Sequence, residues 1–180
     1  MAARFRVRSS SVRASDKEPA VFDASPLVFF DVLGYAGLLP ELHRVFVPPA
    51  VVEELVALPG EPGSGVPEKG WVERRAPHAE TLGRIEGDLT EGRGEKEAIA
   101  LALDLSALVV LDDKRARNYA RRVGLRLTGT LGVLLRLHRL GLAERELEAD
   151  IALLDEADMR ISPGLRRMVL DLEDERSEGR

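Results

Sequence analysis

Acidic residues recur where a strand should end or a helix begin: Asp23 in AVFDASPL, Glu54 in PAVVEEL, Glu95 in GRGEKEAIALAL, and the pair Asp112-Asp113 in ALVVLDDKRAR. Oxygen donors without His or Cys suit Mg2+ or Mn2+. Mg2+ keeps several waters, so three or four carboxylates can position it through direct and water-mediated contacts. Crowded carboxylates repel one another, and a cation relieves that repulsion. Such an ion can polarise a phosphoryl oxygen, generate hydroxide and stabilise a leaving oxygen. The chain has no Cys, and no Lys or His is placed at these stations, so activated water is favoured over a covalent nucleophile. A plainer reading competes at every station. Asp23 and Asp113 could cap the helices that follow them, Glu95 could complement a helix dipole, and Glu54 could be a solvated helix glutamate. Only convergence of these side chains would make a site.

Convergence depends on the elements that carry them. Ala20–Phe22 reads as a short buried strand ending at Asp23, and Ser25-Pro26 as an N-cap with proline at the first helical position of LVFFDVLGY. Arg44–Val47 is a second strand, stopped by Pro48-Pro49, which opens the helix AVVEELVAL. A Gly/Pro-rich loop spans 59–70 and is the candidate mobile segment; a strand over 71–74 and a polar helix over 78–85 follow. LVVLDD is a continuous apolar run ending at two carboxylates, the pattern of a central parallel strand covered on both faces. A helix over 114–123 ends at Gly124, a strand covers 125–128, and GTLGVLLRLHRLG is helical, with two further helices near 143–157 and 163–172. Strands alternating with helices predict an α/β domain with a mainly parallel sheet, and in such sheets ligands bind outside the carboxyl ends of the strands. Helical spacing places Glu95 on the face of Ala98, Ile99 and Ala102, with Glu97 off it. Glu54 borders the arc of Val51, Leu55 and Leu58, while Glu53 points further away.

Length and composition bound the rest. A chain of 180 residues suits one domain: a flexible basic arm over 1–18, the folded domain over 19–173, and a charged tail over 174–180. A net charge of −5 argues against a uniformly basic nucleic-acid coat. No apolar run approaches the ~20 residues of a membrane span, and a soluble, cytoplasmic protein is the expectation. GSGVPEKG lacks the Gly-Lys-Ser/Thr ending of a P-loop, and GRGEKE lacks the third glycine of a dinucleotide fingerprint.

The segments VFDASPLVFF, VPPAVVEEL, GEKEAIALA, VVLDDKRAR and LTGTLGVLLRLHRLG, in this order and spacing, resemble PIN-domain ribonucleases. The likeness is to VapC-type toxins, and specifically to a PIN-like nucleic-acid-binding group, and it runs from about Val21 to Leu170. It implies a three-layer α/β/α fold and Mg2+- or Mn2+-dependent hydrolysis of RNA, probed against a non-catalytic RNA- or protein-binding module as the alternative. Asp23 matches the family's first acidic position and Ser25 its small polar companion; Glu54 matches the second, Glu95 the third and Asp113 the fourth, with Asp112 the adjacent alternative. Glu95 stands where VapC toxins more often carry Asp. The resemblance further implies a small antitoxin partner and a homodimer. Arg115, Arg117 and Arg121 follow the strand-end acids and could meet RNA phosphates; a solvated basic helix is the competing reading.

Overall fold

The computed structural model describes residues 16–86 and 92–177, with side chains described to residue 173. Most of the expected basic arm and the last residues of the expected tail lie outside these. Five short strands form one sheet: β1 (Pro19–Phe22), β2 (Arg44–Val47), β3 (Val72–Arg74), β4 (Leu108–Val110) and β5 (Leu127–Thr128). Their order is β3-β2-β1-β4-β5 and every pairing is parallel.

Nine α-helices occur among the described residues: α1 (Ala24–Val32), α2 (Leu39–Leu42), α3 (Pro49–Val56), α4 (Ala79–Glu86), α5 (Arg93–Leu105), α6 (Lys114–Arg122), α7 (Thr130–Arg139), α8 (Leu147–Glu156) and α9 (Pro163–Ser177). α9 therefore continues past Leu172 into the segment read from sequence as a tail. No single described helix is long and apolar enough to cross a membrane.

Strand residues alternate between two cores because successive side chains leave opposite faces of the sheet. Ala20, Phe22, Val45, Val47 and Val110 join the core built with α1, α3, α7 and α8. Val21, Phe46, Val109 and Leu111 join a second core built with α5 and α6. The result is a three-layer α/β/α domain. With both faces covered, the strands read as continuous apolar runs in sequence.

Two local expectations changed. α1 begins at Ala24 with Asp23 at its N-cap, so Ser25 lies inside the first turn and is not the cap. α5 is buried on more than one side: Ala98 through Ala102 are fully buried, and Glu97, expected off the inner face, is buried as well. A single-stripe analysis assumes one buried face, and α5 packs against the sheet, α3 and α4 together.

Candidate metal centre at the carboxyl edge of the sheet

β1 is central, with β2 on one side and β4 on the other, so the strand order reverses between β1 and β4. Phe22 pairs with Val110, and the Asp23 amide continues the ladder by donating to the Val110 carbonyl at 3.1 Å. Asp23 and Asp112 thus leave neighbouring strands at the crevice where doubly wound sheets bind ligands. Glu54 arrives from α3 and Glu95 from the first turn of α5; these two helices pack against each other.

Asp23 is buried, yet its carboxylate makes no cap bond to α1 and its Oδ1 has no hydrogen-bond partner. Burial pushes its pKa up to about 8, with the charges of Glu95, Glu54 and Asp112 adding to the rise; the nearby Ala24 amide opposes it without reaching capping geometry. The Glu54 carboxyl is also raised, first by desolvation and then by Glu95. Asp112 is raised by burial against the opposing bonds from Thr130 and the charge of Arg117. Four acids from four elements therefore share one electrostatic environment.

Their supports are local. Glu54 Oε1 accepts from the Gly94 amide at 3.2 Å, and a Cβ on Gly94 would fall 2.6 Å from that oxygen. Asp112 is held by Thr130, whose amide donates to Oδ1 at 2.9 Å and whose hydroxyl donates to Oδ2 at 2.5 Å. A Cβ on Gly129 would lie 2.7 Å from Asp112 Oδ1 and 2.8 Å from Arg117 Nη1, so glycine lets the β5–α7 turn approach the acid. The roles of fully buried Thr130 and of Gly129 toward Asp112 are not legible in the sequence, because Asp112 lies 18 residues earlier.

The adjacent pair divides the work. Asp113, taken from sequence as the fourth acid, turns away: its Oδ1 caps α6, accepting from the Arg115 and Ala116 amides, both at 2.8 Å. Asp112 is the member that couples to Asp23. Glu53 pairs with Arg93 at 2.6 Å on the outside. Glu97 reaches from α5 to the start of α3, its Oε2 accepting from the Ala50 amide at 2.8 Å and its Oε1 from Arg93 at 3.0 Å. Ser25 is exposed beside the site.

Among the basic residues, half-buried Arg117 donates to the Leu111 carbonyl at 2.6 Å and feels the charges of Asp112 and Arg121. Arg121 bonds Asn118 at 2.9 Å. Arg115 is exposed, and its amide is one of the two that bond the Asp113 carboxylate. The histidines stand elsewhere: His43 is buried near Glu18, His78 pairs with Asp104, and His138 with Asp150.

The donor chemistry fits a hard divalent cation, since it is all carboxylate and includes a buried oxygen without a partner. Among the described residues no three acidic or histidine side chains stand close enough to ligate one ion jointly. That arrangement suits an ion that keeps much of its own water and takes one or two carboxylates directly.

A family model described as a PIN domain matches residues 19–175. The chain belongs to the PIN-domain family. PIN domains are commonly nucleases, and PIN-domain nucleases generally use divalent metals. No curated protein matches the chain. In this PIN domain the acid cluster lies at the sheet's crossover crevice, where the topology directs a ligand.

Proposed function

We propose that this PIN domain is a Mg2+- or Mn2+-dependent endoribonuclease. The observation that carries the reading is Asp23, a buried carboxylate with an unpartnered oxygen, electrostatically coupled to Glu54, Glu95 and Asp112. A buried anion in that position costs free energy unless a cation or proton offsets it. When bound there, a divalent cation supplies polarisation of a phosphoryl oxygen and a water of lowered pKa. Asp23 and Asp112 would be the inner holders, with Glu54 and Glu95 closing the acidic side. Arg117, beside Asp112, would orient a phosphate through its remaining guanidinium donors.

The test is cleavage of a single-stranded RNA by the full chain in Mn2+ or Mg2+. EDTA should stop it, and Asp23→Asn should remove it while circular dichroism stays that of the folded protein. Cleavage that survives both treatments would sink the proposal.

The spacing of the acids favours a second reading, because no three of them stand in joint ligating range. On that reading the domain binds RNA or protein without turnover. RNA retained in a gel shift with no product at any Mn2+ concentration would decide for it.

The toxin role, a small antitoxin partner, a homodimer and a cytoplasmic setting are further parts of the proposal, and they rest on resemblance to VapC-type proteins. A short reading frame beside this one whose product co-purifies with the domain and suppresses cleavage is the expected sign. Light scattering at several concentrations should give the mass of a dimer.

A further inference from the structure

An apolar cavity of about 490 Å3 opens beside the acid cluster. Phe29 of α1, Leu131 and Leu135 of α7, and Met168 of α9 form its walls. Ser25, Asp112 and Arg117 stand on its lining at the site end, and Asp158 and Arg160 in the α8–α9 connection. Asp112 therefore belongs both to the cluster around Asp23 and to the cavity wall. Whatever occupies the cavity lies against the reacting centre.

We propose that this cavity receives one unstacked nucleobase of the RNA strand, next to the phosphate presented to the acids. The inference rests on the ribonuclease reading. Three features select this occupant. The volume falls within the roughly 300–1,000 Å3 of small-ligand sites, whose walls are mainly apolar with a few polar groups. Arg117 of α6 and Arg160 of the α8–α9 connection both line it, so two cations border the apolar walls, which matches an apolar base joined to anionic phosphates. Single-stranded RNA is commonly read by splaying bases out onto aromatic or apolar side chains and arginine planes, and Phe29 and Arg117 supply those surfaces.

A protein partner fits less well. A stable interface buries about 800 Å2 per partner with an apolar centre. Among the described side chains of α9, the large exposed apolar ones are Leu165, Met168 and Leu172, and all three line the cavity. Their side chains border a half-open concavity and do not form a separate flat patch. Met168 is half exposed, and its flexible thioether can adapt to bases of different size.

The chain has three methionines, Met1, Met159 and Met168, and the last two line the cavity. Methyl labelling of methionine therefore places two reporters there. The full chain is titrated in EDTA with each of the four nucleoside 5′-monophosphates, and with ribose 5-phosphate as the base-free control. At least one nucleotide should shift the Met159 and Met168 signals in a saturable way, and ribose 5-phosphate should not. Met168→Glu, at an exposed position that tolerates charge, should weaken the nucleotide at least tenfold, read on Met159. Equal shifts from ribose 5-phosphate, no shifts from any nucleotide, or unchanged affinity in Met168→Glu would each overturn the proposal. So would methyl shifts that depend on protein concentration alone and vanish in Met168→Glu, which would mark a contact between copies. RNA cleavage without nucleotide binding removes the pocket and keeps the nuclease; nucleotide binding without cleavage does the reverse.

Discussion

At Asp23, burial and three neighbouring carboxylates oppose the charge that cation binding requires. Its pKa of about 8 lies above the ordinary 3.8, so the folded protein holds a proton there that the unfolded chain releases. Stability is then fully present below about pH 4 and lost as pH rises toward about 8, at up to about 1.4 kcal/mol per pH unit. Thermal melts without metal should show that decline between about pH 4 and about pH 8, and Asp23→Asn should flatten it. Mn2+ should raise the melting temperature of the wild type more at pH 8 than at pH 5, because cation and proton compete for the same carboxylate. A second residue-scale prediction separates the neighbouring aspartates. Asp112→Asn should lower RNA cleavage at least a hundredfold. Asp113→Ala should leave cleavage within a few fold and cost about 1 kcal/mol in urea unfolding, the usual value of a lost N-cap.

At the scale of elements, α5 is the organiser of the site. It carries Glu95, gives the Gly94 amide to Glu54, and sends Glu97 across to the Ala50 amide at the start of α3. The Glu97 carboxylate satisfies a donor of α3 that has no partner within its own helix. Glu97→Ala would leave that buried amide unpaired. An expected cost is about 2–3 kcal/mol in chemical denaturation, together with weaker Mn2+ binding, because α3 carries Glu54. Glu97→Gln can still accept from Ala50 and should recover most of both losses. The β5–α7 turn acts in the same way on Asp112 through Thr130. Thr130→Val removes the hydroxyl donor at nearly constant shape, and Mn2+ affinity measured by calorimetry should fall while Thr130→Ser restores it.

Across the whole molecule, the helices C-terminal to the sheet are tied back to α1 by a polar network centred on one buried carboxylate. Asp150 is fully buried and accepts from His138 at 2.8 Å and from Arg145 at 2.5 Å. Arg145 also donates to the Leu33 carbonyl at 2.5 Å and lies over the Tyr35 ring, whose hydroxyl accepts from the Glu144 and Arg145 amides at 3.2 Å. This junction fixes α8 against α1 and α7, and α7 and α9 line the cavity beside the acids. Asp150→Ala should cost about 1–3 kcal/mol, because it leaves the buried His138 ring without its partner, while the exposed Arg145 guanidinium can turn to water. Equilibrium unfolding monitored at Trp71 and by circular dichroism would show whether the loss is global.

Composition, alternation of strands and helices, and the acids at strand ends were enough to read an α/β sheet, the PIN resemblance and the four stations. Those features are local, encoded by runs of apolar residues and by the residues that stop them. Periodicity also separated Glu54 from Glu53, because α3 has one buried face. It could not place Glu97, because α5 is buried on several sides. It could not choose between Asp112 and Asp113 either. Adjacent residues at a strand end differ by a turn of backbone, and only the β5–α7 turn bonding to Asp112 and the α6 amides bonding to Asp113 decide which one faces Asp23. The cavity, likewise, is made by α1, α7 and α9, elements distant in sequence. What depended on the order of residues was legible from the chain; what depended on which surfaces meet was decided by the tertiary structure.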